Sequence, residues 1–81
     1  ITGVNLNGVA ALTVIGDAEV FVQGLLINAN DDGGLGIQVD GAVVYLDRTQ
    51  VVANAGGGLL LQNGADVHIR NCFVGGNGDG V

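Results

Sequence analysis

The chain has 81 residues, with two Lys/Arg against eight Asp/Glu and a formal net charge of −6. A phosphate backbone is gripped through several Lys/Arg contacts, so nucleic acid is excluded as a partner, and the same shortage weighs against anionic membranes and strongly acidic polysaccharides. The length allows one small domain, no apolar run approaches the roughly 18 residues of a membrane span, and the lone Cys72 forms no internal disulfide.

In chain order the apolar residues fall into repeated copies. Val4 and Asn7 lie in a partial copy, residues 1–11. Residues 12–36 hold the first complete one: Leu12 and Val14, then Ala18, Val20 and Val22, then Leu25 and Ile27, then Asn30. Residues 37–58 repeat it as Ile37, Val39, Ala42, Val44, Leu46, Thr49, Val51 and Asn54, with one residue fewer near Gly41. Residues 59–80 give Leu59, Leu61, Ala65, Val67, Ile69, Cys72, Val74 and Asn77, and Val81 starts another copy. The four asparagines are spaced 23, 24 and 23 residues apart.

Each copy contains three short stretches with a period of two, the mark of strands with one buried face. Gly and Asn separate them, where the chain must turn. A helix is not expected anywhere, because Gly interrupts every candidate window and no 3.6-residue apolar stripe occurs. An antiparallel sandwich demands no fixed register every 23 residues, and a left-handed β-helix would show a six-residue period. The spacing therefore predicts an all-β fold, a right-handed parallel β-helix with three short strands per coil of about 23 residues, in coils 12–36, 37–58 and 59–80. Equivalent residues should lie over one another, roughly 4.8 Å apart.

Gly58-Leu59-Leu60-Leu61, Val67-His68-Ile69 and Val74-Gly75-Gly76-Asn77 resemble the parallel β-helix repeats of the pectate-lyase-like superfamily. The likeness covers nearly the whole chain at the level of the fold. It implies a secreted or cell-surface protein, bacterial in type, from a group that includes polysaccharide lyases and hydrolases, tailspikes and non-enzymatic surface proteins. Fold alone does not choose among these.

Candidate residues follow from the register. Asn7, Asn30, Asn54 and Asn77 are expected to form a structural ladder of amides, since their spacing follows the coil. Outward positions on the middle strand are Glu19, Phe21 and Gln23, then Val43, Tyr45 and Asp47, then Asp66, His68 and Arg70. Phe21, Tyr45 and His68 should make a surface column of flat rings. Ring faces suit sugars, with Asp47 and Arg70 placed to bond hydroxyls, but stabilising stacking plus a weak Asp47–Arg70 ion pair is the preferred account. Asp47 and Asp66 offer the paired carboxylates of glycoside hydrolysis, as any acidic β-helix would, and His68 as a general base rests on one residue. Cys72 is read as a buried thiol in the column of Leu25 and Thr49. Asp31, Asp32 and Asp79 are weak calcium candidates, better read as solvated turns because calcium needs 6–8 oxygens.

No catalytic residue, metal or cofactor is expected. The expected role is a non-catalytic structural or adhesive solenoid segment, a fragment or processed product of a longer protein. Its expected partners are adjoining coils of the parent, or other copies stacked end to end into oligomers or filaments. The alternative is part of a carbohydrate-binding or polysaccharide-processing β-helix, with neutral carbohydrate as ligand and the active residues elsewhere.

Overall fold

The computed structural model of the chain describes residues 10–28 and 34–78. Val4, Asn7, Asn30, Asp31, Asp32, Asp79 and Val81, each assigned a place above, lie outside these described residues.

Among the described residues the structure is all-β, without helix. The strands are β1 (Ala10–Ile15), β2 (Glu19–Gln23), β3 (Leu26–Asn28), β4 (Leu35–Asp40), β5 (Val43–Asp47), β6 (Gln50–Val52), β7 (Gly57–Gln62), β8 (Asp66–Arg70) and β9 (Phe73–Gly75). They form three parallel sheets, in the orders β1-β4-β7, β2-β5-β8 and β3-β6-β9. Every strand thus pairs with the third strand along the chain. β1–β3, β4–β6 and β7–β9 make three successive tiers. β4 and β7 begin at Leu35 and Gly57, two residues ahead of the expected coil starts at Ile37 and Leu59.

The pairing puts like on like. Leu12 lies beside Ile37 and Ile37 beside Leu59. Val20, Val44 and Val67 form one row, and Val22, Leu46 and Ile69 the next. Ile27, Val51 and Val74 form a third. Alternation sends these β-branched and leucine side chains to one face of each strand, where they suit a pleated surface. The three inner faces share one core, comprising Val14, Ile27, Ile37, Val39, Ala42, Val44, Leu46, Val51 and Leu59.

The turns repeat as faithfully as the strands. Gly24 N–H donates to the Asp47 carbonyl at 3.1 Å, and Arg48 N–H donates to the Arg70 carbonyl at 3.2 Å, the same bond one tier on. Val43 N–H to Ala18 and Asp66 N–H to Ala42, both at 3.0 Å, are a second such pair. The turn after the second strand takes left-handed backbone in all three tiers: Gly24 at φ 65°, Arg48 at 52° and Asn71 at 53°. Glycine and asparagine accept that region readily, whereas arginine does so at a steric cost. Ala53, φ 55°, bears the same strain where the next tier has Gly76 at 64°.

A different glycine serves close packing. A Cβ at Gly36 would run into Val51 Cγ1 and the Gly58 carbonyl, and would press on Asn54 Nδ2 at 3.3 Å. Glycine at this corner makes room for the asparagine beside it.

Candidate functional site

The amide ladder is present where it can be seen. Asn54, completely buried, donates from Nδ2 to the Ile27 carbonyl at 3.3 Å and to Asn77 Oδ1 at 3.0 Å. Its backbone N–H also donates to Asn77 Oδ1, at 2.9 Å. Asn77 Nδ2 in turn donates to the Val51 carbonyl at 3.0 Å. Ile27 and Val51 are register partners, so the two asparagines make one bond twice, each reaching back a tier. The amides thereby satisfy backbone carbonyls that a buried turn would otherwise strand. This is support for the turn, and it leaves no opening for a ligand.

Cys72 likewise repeats its predecessor. Thr49 Oγ1 donates to the Asp47 carbonyl at 3.2 Å, and Cys72 Sγ donates to the Arg70 carbonyl at 3.1 Å. The thiol is a stand-in for a hydroxyl, half-buried in its column.

The outward face of the second sheet carries the aromatic column. Phe21 and Tyr45 stack with centroids 4.6 Å apart and planes 7° from parallel; Tyr45 and His68 do so at 4.6 Å and 10°. That separation is the interstrand spacing itself. In-register rings on parallel strands must lie face to face, and both faces of Tyr45 are covered by its neighbours. This is the stacking preferred for the column, and it leaves Tyr45 only its rim and hydroxyl.

Two residues along, Gln23, Asp47 and Arg70 form a polar column parallel to the rings. Between the columns runs an open groove of about 370 Å³, lined by Phe21, Gln23, Tyr45, Asp47, His68 and Arg70 along its walls. The expected Asp47–Arg70 ion pair is replaced. Asp47 Oδ2 lies 3.7 Å from Arg48 Nε instead, because the left-handed turn brings that neighbouring guanidinium to it. Asp47 Oδ1 is buried without a hydrogen-bond partner.

The paired carboxylates do not come together. Asp66 lies opposite Val43, whereas Asp47 is at the far end of the same strand, opposite Arg70. Four strand residues and one interstrand step separate them, about 14 Å between Cα atoms, beyond the range in which two acids flank one scissile bond. Asp66 instead approaches His68, with Oδ2 to Nε2 at 3.5 Å. No group of three His, Cys, Asp or Glu side chains suited to a metal occurs among the described residues.

The left-handed Arg48 and the close approach at Gly36 carried no signal in residue type or period. Only the tier-to-tier comparison of backbone angles exposes them. No protein-family model matches the chain, and no curated protein or solved structure matches it significantly.

Proposed function

We propose that the chain is a stretch of right-handed parallel β-helix whose work is structural and non-catalytic. It is a stiff element of a secreted or cell-surface protein, with identical tiers that hold outward side chains at fixed intervals. The observation that carries this reading is the repetition of side-chain and turn hydrogen bonds from one tier to the next, with the asparagine ladder at its centre. Such a stack gains stability by adding tiers. The groups with chemical potential are used up in the stacking: Tyr45 by its two neighbours, the Asn54 and Asn77 amides by each other and by the backbone.

A second reading, a β-helix that holds neutral carbohydrate, is favoured by one observation. Asp47 Oδ1 lacks a donor beside a groove that also presents the Tyr45 rim and Arg70. Calorimetric titration with neutral oligosaccharides separates the two. The structural reading expects no saturable heat. A saturable isotherm that disappears with Tyr45→Ala would replace it with the carbohydrate-binding one.

A further inference from the structure

Strand geometry sets the dimensions of the groove on the outer face of the second sheet. Its walls are outward residues two places apart on each strand: Phe21 and Gln23, Tyr45 and Asp47, His68 and Arg70. Leu46, whose side chain is buried on the inner face, contributes the middle of the floor. Two residues of parallel strand rise about 6.6 Å. Carbon atoms touch at about 3.5 Å, so one layer of atoms in contact with both walls takes up about 7 Å. The slot is therefore one aromatic ring thick. It crosses β2, β5 and β8, about 10 Å from the first to the third, which is the length of two linked rings. Its volume of about 370 Å³ falls within the range of small-molecule sites.

The two walls differ in chemistry. Rings that stack within 7° and 10° of parallel turn their faces to one another and their rims to the groove. An aromatic rim carries partial positive charge and an aromatic face partial negative charge, so a wall of rims prefers the flat face of another π-system. In the opposite wall, Arg70 offers a planar guanidinium, which also stacks on aromatic faces. Asp47 beside it has one carboxylate oxygen without a donor, the other being approached by Arg48. The chain as a whole carries a net charge of −6, so its field favours a cation.

We infer that the groove binds a flat, elongated aromatic cation of about two linked rings, lying along the stack with its plane parallel to the walls. One face of the ligand meets the rims of Phe21, Tyr45 and His68, edge to face. The other meets the Gln23 amide, the Asp47 carboxylate and the plane of Arg70. The positive charge lies toward Gln23 and Asp47, away from the guanidinium. A compact cation fills one tier and leaves most of the rim wall bare, so length and flatness are what the site selects. This inference goes beyond the structural role and does not rest on the carbohydrate reading. It requires only the register of β2, β5 and β8.

Thioflavin T, a flat cation of two linked ring systems, is the probe, titrated into the full chain with sedimentation of the same sample recorded alongside. Its fluorescence should rise to saturation at one dye per chain. Tyr45 is the only Tyr and there is no Trp, so quenching of tyrosine emission along the same isotherm places the dye in the groove. Raising the salt from about 0.02 M to about 0.5 M should weaken binding several-fold. Tyr45→Ala removes the central rim and should weaken it at least about tenfold, whereas Tyr45→Phe keeps the rim and should bind as the wild type does. Phe21 is 68% exposed, so Phe21→Ala makes a similar test without touching the core, with circular dichroism unchanged and binding several-fold weaker. Gln50→Ala, on the outer face of the third sheet, should change nothing. Absence of a saturable signal overturns the inference, and so does a signal confined to material that pellets. Dye that binds without quenching Tyr45, or binds Tyr45→Ala and Phe21→Ala as tightly as the wild type, overturns it equally. Affinity indifferent to salt overturns the choice of a cation.

Discussion

Leu46 and Ile69 occupy the same place in successive tiers, yet Leu46 is 1% exposed and Ile69 50%. Val39 and Leu61, likewise register partners, are 1% and 44% exposed. Both members of each pair are aliphatic and hold the same register position, so the difference comes from their neighbours along the stack. The middle tier has a neighbour on both sides, and the third has one on a single side among the described residues. Burial in this molecule is supplied along the stack. A side chain's position within its own tier points it inward, and the tier above and the tier below decide whether water is excluded.

That contrast can be broken most severely in the core. Leu46→Ala should lower stability by about 2–5 kcal/mol, the usual range for a buried leucine. Ile69→Ala should cost roughly 1 kcal/mol, since much of that side chain is already wet. Urea midpoints for the two variants, read with their slopes, check the ratio. Equal losses would contradict the account.

The amide ladder comes next. Asn54→Ala leaves the Ile27 carbonyl without its amide donor inside the core and takes one of two donors from Asn77 Oδ1, an expected loss of about 2–3 kcal/mol. Asn77→Ala, at a half-buried site, should lose less, and thermal melts will rank the two. Smaller still, Ala53→Gly should raise stability by about 0.5–1 kcal/mol, because glycine accepts the left-handed backbone that alanine resists. Smallest of all is Cys72→Thr. It restores the hydroxyl that Thr49 uses in the tier before, so the melting temperature should barely move, by an equivalent of about 0.5 kcal/mol or less.

Much of the architecture was legible because a stack writes its geometry into the sequence as a period. Val20, Val44 and Val67 could be paired on paper, as could Asn54 and Asn77, and each pairing is found. Properties that depend on what happens between equivalent positions were not legible. The stacked ring column follows from the outward register, and the covering of both faces of Tyr45 from the match between strand spacing and ring stacking. The partner of Asp47 was misread because register nominated Arg70, whereas a left-handed turn put Arg48 nearer. Asp47 and Asp66 were read as close because the outward rows were compared without counting the rise along the strand.

The alignment of tiers is the claim on which the rest stands, and disulfide trapping measures it directly. In a Cys72→Thr background, cysteines are placed at Tyr45 and at one of Asp66, His68 or Arg70, and oxidised at high dilution. Adjacent in-register Cα atoms fall within the 4.4–6.8 Å that a disulfide spans, and positions two residues out of register do not. The 45–68 pair should close within one chain in high yield, and the 45–66 and 45–70 pairs should stay largely reduced. Efficient closure of either offset pair, with 45–68 left open, would contradict the register and the stack built on it.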